Sequence, residues 1–247
     1  MPNPPRPCNK HLELFNFTPL THFAKALKAQ RKVKVVAIGS SSTAGADGVL
    51  PYPPRLEMLL RQGTAPRIDV PRIEGFYGRI IDVLNRGIGG QEAPEELSRF
   101  ESDVLGDAPS LVIWQVGTNA VYRDYYSPDE VKAAIEVGLD LLSNLSADVV
   151  IMDCQYTTTV VEKPARLKQI TDLISSVASA KGVNLFSRFA LMRCWVTDDK
   201  VPLPELDDGG GLHTSEWATD CVTQTLFDVI KQAVDAAKPA IQAAPAA

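Results

Sequence analysis

Five short apolar runs recur along the chain, separated by stretches with helical periodicity, and this alternation restricts the fold more than any other feature. The runs are VKVVAI (33–38), IIDVLN (80–85), LVIWQV (111–116), DVVIMD (148–153) and the weaker VNLF (183–186). Near-continuous hydrophobicity, in place of strict alternation, marks strands covered on both faces. Strands interleaved with helices pair in parallel. The expected architecture is therefore α/β, a three-layer α/β/α sandwich around a mainly five-stranded parallel sheet of the flavodoxin-like kind.

The intervening segments carry helix start and stop chemistry. In SPDEVKAAIEVGLDLLSNL, Ser127 and Glu130 form a capping-box pattern with Pro128 at the first helical position, and Val131, Ile135, Leu142 and Leu145 share a face. PEELSRFESDVLG sets Leu97, Phe100 and Val104 on a stripe that stops at Gly106. PARLKQITDLISSVASAKG does the same with Leu167, Ile170, Ile174 and Val177 before Gly182. A last helix starts near Ser215 and runs through Trp217, Val222, Leu226 and Val229. The expected organisation is an N-terminal extension (1–32) packing on one domain (33–235), with an inserted loop at 62–79 and a flexible tail at 236–247. The inserted loop, QGTAPRIDVPRIEGFYGR, mixes arginines with Ile, Phe and Tyr and reads as a small excursion or as a rim over a site.

With 45% hydrophobic residues in 247, the chain can bury a substantial core. A net charge of −5 without any Lys/Arg block gives no footprint for nucleic acid. No run approaches the roughly 18–20 apolar residues of a membrane span. The start, MPNPPRPCNK, lacks the apolar core of a signal peptide, which leaves two readings, a cytoplasmic protein or a secreted or periplasmic domain whose leader was removed. Cys8, Cys154, Cys194 and Cys221 are scattered, with no CxxC pair and no His at metal-ligand spacing, so a zinc site is not expected. They read as buried thiols, with a disulfide from Cys8 to the body as the alternative. His11 and His22 read as surface residues.

In an open parallel sheet the ligand crevice lies beyond the carboxyl ends of the strands. The first strand is followed by GSSSTAG, the second by RGIGGQ, the third by GTNA, and a late loop before the final helix reads DDGGGLHTS. GSSSTAG lacks the Lys of a phosphate-binding loop, and NRGIGG does not follow the first strand as a dinucleotide fingerprint must. GTNA taken alone is a turn, because Asn and Gly tolerate left-handed backbone. His213 stands beside a glycine run at a helix start, not on an apolar face.

Taken in order, these four blocks resemble the SGNH (GDSL-type) hydrolase family, over about residues 33–230. The resemblance implies the SGNH hydrolase fold and a serine esterase, with Ser41 of GSSST as nucleophile and His213 of GLHTS as base. It implies an oxyanion hole made by the Ser41 N–H, the N–H of Gly90 in NRGIGG and the side-chain amide of Asn119 in GTN, and no metal or cofactor. The implied substrate is a small-molecule or carbohydrate ester, acetyl foremost. Two positions depart from the family pattern. Ser40 replaces the aspartate that precedes the nucleophile, and Gly210 stands where an aspartate three residues before the histidine is expected. Asp208 is the candidate orienting acid, Asp207 the next, and a Ser-His dyad the outcome if neither reaches His213. These departures also motivate a second reading, a catalytically weak protein that binds a carbohydrate or a protein partner.

Overall fold

The computed structural model describes residues 6–46, 48–64, 73 and 78–243. The first half follows the order α1 (Thr21–Ala29), β1 (Lys32–Gly39), α2 (Ser41–Ala44), α3 (Tyr52–Gly63), β2 (Ile80–Gly87), α4 (Ala93–Leu97), α5 (Phe100–Asp103) and β3 (Leu111–Gln115). The second half continues with α6 (Thr118–Tyr122), α7 (Pro128–Leu142), β4 (Asp148–Met152), α8 (Thr158–Val161) and α9 (Pro164–Lys181). It ends with β5 (Asn184–Phe186), α10 (Arg188–Thr197) and α11 (Glu216–Ala243). The five strands form one parallel sheet in the order β2-β1-β3-β4-β5, so each expected apolar run is a strand.

Because side chains alternate across a strand, β1 feeds two cores. Val33, Val35 and Ala37 pack with Phe23 of α1, Leu56 of α3, Trp195 of α10 and Leu226 of α11. Val36 and Ile38 pack on the other face with Phe100, Ile135 of α7 and Ile170 of α9. Helices thus cover both faces of the sheet, which is why its strands lack polar alternation. Gly138 lets α7 approach the sheet closely, since a Cβ there would stand 2.4 Å from the buried Trp114 ring. The helices flanking β1 and β3 lie on opposite faces, which makes the gap between these strands the switch point of the sheet.

Several local expectations need adjustment. Ser127 and Glu130 do close a capping box on α7, and α9 ends on Gly182 at φ 65°. The 94–106 stripe, in contrast, is two short helices, because Arg99 leaves helical geometry (φ −114°, ψ 13°) while its side chain binds Gln91, Asp103 and Gly39 O. The tail expected from residue 236 is helical to Ala243. Ala237 is still buried there, and alanine-rich sequence has the highest helix propensity. Of the expected inserted loop, Gln62 and Gly63 belong to α3, and Ile73 is buried with its N–H on Gly63 O. Residues 65–72 and 74–77 lie outside the described residues.

Residues 6–20 strap across α10 and α11. Trp195 Nε1 donates to Asn9 O (2.6 Å) and Trp217 Nε1 to Arg6 O (2.8 Å), and Cys8 is disulfide-bonded to Cys221 of α11. Cys154 and Cys194 are free thiols. His22 is exposed, but His11 is not the surface residue its sequence context implies. Its ring nitrogens lie 3.1 Å from Glu13 and 2.8 Å from Asp199, because the strap brings the ring to the turn just past α10.

Candidate active site

The turn that carries Ser41 is built where β1 ends. Ser40 precedes the single-turn helix α2 in extended backbone without a side-chain cap bond, and Ser41 is the helix's first residue. The turn is held from below by Gln115 at the end of β3, whose Oε1 accepts from Ser40 N–H (3.1 Å), Ser40 Oγ (2.9 Å) and Thr43 Oγ1 (3.4 Å). Gln115 is buried, a polar residue closing an otherwise apolar strand. That contrast in LVIWQ is the signal by which sequence could have found it.

The ends of β2 and β3 press against this turn. A Cβ on Gly87 would fall 2.1 Å from Ala44 N, so only glycine lets the β2 end meet α2. Gly89 follows at the flank of Ser41, with 3.9 Å from an added Cβ to Ser41 Cβ, and Gly90 adopts φ 83°, a left-handed backbone that glycine accepts without strain. Asn119, buried at the start of α6, donates from Nδ2 to Gln91 O (2.8 Å), and the amide carries a second N–H. Glu92 ties the two loops together. Its carboxyl accepts from Ala93 N–H (3.0 Å), Gly117 N–H (2.7 Å) and Ala120 N–H (2.7 Å). Burial pushes the Glu92 carboxyl up, against the downward pull of those three amides.

His213 arrives from the far end of the chain. Its Nε2 lies 3.1 Å from Ser41 Oγ across 172 residues of sequence, and its Nδ1 lies 3.6 Å from Asp208 Oδ2. The GGG segment loops out between acid and histidine, with Gly209 at φ 91° and Gly211 at φ 78°, so that Asp208 N–H reaches His213 O (3.0 Å). Asp207 points elsewhere, accepting from Thr158 Oγ1 (2.6 Å) and Gly209 N–H (3.0 Å). Gln155, buried after β4, joins the two halves of the site. It accepts from Ser42 Oγ (2.7 Å) and donates to Leu212 O, which also receives Thr157 Oγ1 (2.9 Å). Sequence reasoning missed Gln115, Gln155 and Glu92, because the contacts by which each ties the site together are to residues distant in the chain.

Beneath these loops, Asp153 binds Phe189 N–H (2.9 Å) and Ser187 Oγ (2.7 Å) at the start of α10. Burial pushes its carboxyl up to about 6. Beside Ser41 and His213 is a depression of only about 20 Å³, walled by Gly45, Ala46, Val49 and Pro51 on one side and by Thr214 and Thr219 on the other. A larger groove of about 660 Å³, beside Lys25, Lys34 and Asp107, lies at the opposite end of the sheet. Among the described residues no group of His, Cys, Asp or Glu could hold a metal, and no helix is long and apolar enough to cross a membrane.

A serine hydroxyl on an imidazole at the carboxyl edge of a β2-β1-β3-β4-β5 sheet is the arrangement of the SGNH/GDSL-type hydrolases, a class of carboxylic ester hydrolases, and this chain is of that type. It belongs to the non-GDSL lipase-like family, which it matches over residues 7–236. No curated protein matches it. Among solved structures it is similar to a lipolytic protein of the G-D-S-L family from Desulfitobacterium hafniense DCB-2 (22% identity, TM-score 0.62, 80% of this chain and 99% of the other). It is also similar to a lipase/acylhydrolase from Enterococcus faecalis (20%, TM-score 0.64, 81% and 96%). An acetylxylan esterase from Geobacillus stearothermophilus shares the fold as well (20%, TM-score 0.63, 80% and 94%).

Proposed function

We propose that this protein is a serine esterase that hydrolyses small acyl esters, acetyl esters foremost, with carbohydrate among the alcohols it releases. One observation carries the reading, the 3.1 Å approach of Ser41 Oγ to His213 Nε2. A hydroxyl is a weak nucleophile until a neighbouring imidazole takes its proton. His213 accepts that proton as Ser41 attacks the ester carbonyl, then returns it to the departing alkoxide. Asp208 orients the ring and stabilises its charged form. The oxygen that becomes negative is met by the N–H groups of Ser41 and Gly90 and by the second N–H of Asn119, donors fixed before the reaction begins. Water then attacks the acyl-enzyme by the same route in reverse, and no cofactor takes part.

The acetylxylan esterase among the structural relatives supports an acetyl group on a sugar alcohol. The test is labelling with a fluorophosphonate and hydrolysis of p-nitrophenyl acetate by wild type, Ser41→Ala and His213→Ala. The reading requires labelling at Ser41 and a loss of about 10³-fold or more in either variant. Wild-type turnover no faster than that of both variants, with Ser41 unlabelled, leaves only a binding role.

A further inference from the structure

The mouth of the site presents a cation that no described carboxylate neutralises. Arg123 follows α6 directly, and its N–H donates to Asn119 O at 2.7 Å, which fixes it to the turn that carries Asn119. Its Nη1 reaches Gly90 O at 3.5 Å, and a Cβ on Gly90 would stand 3.2 Å from that nitrogen. Gly89, one residue earlier, borders Ser41. The guanidinium therefore stands across a single Gly-Gly step, about 3.8 Å from Cα to Cα, from the nucleophile's flank. Among the described residues no Asp or Glu lies within ion-pair distance of it. The adjacent Asp124 turns instead to Lys163 (3.4 Å), which neutralises that second cation. The Arg123 head lies over the rings of Tyr122 (6.0 Å) and Tyr125 (5.6 Å), and Tyr125 is 76% exposed at the rim.

A planar guanidinium is weakly hydrated and presents paired N–H donors that match a carboxylate edge to edge, and an aromatic surface beneath it keeps it in place. Arg123 and the exposed Tyr125 ring are not part of the wall of the depression beside Ser41 but stand past the Gly89-Gly90 step on its flank, so the alcohol part of an ester that extends over those glycines meets them. The Arg123 guanidinium carries a single positive charge, which matches a singly charged carboxylate. We propose that Arg123 is a specificity-determining residue that selects esters whose alcohol carries a carboxylate, with O-acetylated uronic acid sugars as the substrate class. The proposal rests on the esterase reading of the site.

The test uses two monoacetylated methyl glycosides, a glucuronoside and a glucoside, which differ only in a carboxylate against a hydroxymethyl group at C6. The quantity read is the ratio of their kcat/KM values, which cancels any general loss of activity in a variant. Wild type should favour the glucuronoside by about 10-fold or more, the range of a hydrogen bond to a charged group. Arg123→Gln should bring the ratio to about 1, Arg123→Lys should retain part of it, and added salt should compress it. A wild-type ratio at or below 1, or an Arg123→Gln ratio equal to wild type, overturns the proposal. Failure of the underlying esterase reading is distinguishable, since then neither sugar ester nor p-nitrophenyl acetate is turned over in a Ser41-dependent manner, and this proposal falls with it.

Discussion

Asp208→Asn removes one negative charge 3.6 Å from His213 Nδ1 while preserving the size of the side chain. In the free enzyme that distance is longer than a hydrogen bond, and contacts of this kind tighten when the imidazole becomes charged. The magnitude follows from Coulomb's law. At 3.6 Å a carboxylate and an imidazolium attract by about 1 kcal/mol in a water-like medium and by about 5 kcal/mol at an effective dielectric constant of 20. Asp208 is 6% exposed at its side chain and His213 25%, so the pair lies toward the drier limit without reaching it. Because the imidazolium exists only as the reaction proceeds, the loss falls on kcat, by about 10- to 10³-fold, and leaves KM near its wild-type value.

Asp207→Asn is the internal control. Its carboxylate serves Thr158 Oγ1 and Gly209 N–H, which shape the loop, so the variant should lose about 1–2 kcal/mol of stability and far less kcat than Asp208→Asn. Both are measured with p-nitrophenyl acetate under saturating conditions, beside a denaturant titration. Asp208→Asn turning over like wild type, or Asp207→Asn being the slower of the two, would refute the assignment of the orienting acid.

Three further perturbations follow from the same geometry. Gln155→Leu cuts the links to Ser42 Oγ and Leu212 O, and should lower kcat by about 10-fold with KM little changed; an unaltered kcat would show that the two loops hold their spacing without it. Replacing Cys8 and Cys221 by serine opens a loop spanning 213 residues, and chain entropy sets the loss at up to about 5 kcal/mol, or about 10 °C in Tm for a chain of 247 residues. Reductant should lower the wild-type Tm to that of the double variant and leave the variant unmoved; a wild-type Tm indifferent to reductant contradicts the bridge. Asp153, held at about 6 when folded against an ordinary 3.8, favours the protonated form in the fold. The stability it contributes is complete below pH 3.8 and is lost as pH rises through about 6, on the order of 3 kcal/mol. Denaturant unfolding at pH 4 and pH 7 should show that loss in wild type relative to Asp153→Asn, and parallel pH dependence in the two proteins would exclude Asp153 as its source.

The sheet was legible because its strands read as nearly unbroken apolar sequence, and the loops bearing Ser41, Gly90 and Asn119 could be placed at its carboxyl edge because each follows a strand end, whereas His213, in a loop before α11, was placed only by the resemblance of GLHTS to the family's last block. What escaped depends on partners far away in sequence. Gln155 reads as one more polar loop residue until Ser42 and Leu212 meet on either side of it, and Cys8 finds Cys221 only once α11 lies under the strap. Helix α3 begins YPP, and two prolines in its first turn resemble a loop unless the tolerance of that turn for missing N–H donors is weighed. His11 was misread because nothing nearby in sequence hints at Asp199, which closes over its ring.

The two departures from the family pattern are met by local structure in different ways. An aspartate before the nucleophile would supply a charged acceptor inside the turn, whereas here Ser40 donates and the acceptor is the neutral Oε1 of Gln115, reached also by Ser40 N–H and Thr43 Oγ1. Burying a neutral amide costs less than burying a carboxylate, so the turn is held without an added charge under Ser41. At the histidine the opposite holds, because a charge is what an imidazolium needs. The two residues inserted by the glycine run would carry an acid out of reach if the loop stayed extended. Left-handed turns at Gly209 and Gly211 fold the excess outward, and the Asp208 N–H bond to His213 O brings that carboxylate back beside the ring. A side chain at position 211 would stand 2.8 Å from Thr159 Oγ1 and strain a backbone at φ 78°, so substitution there should displace the acid while leaving Ser41 and its turn in place.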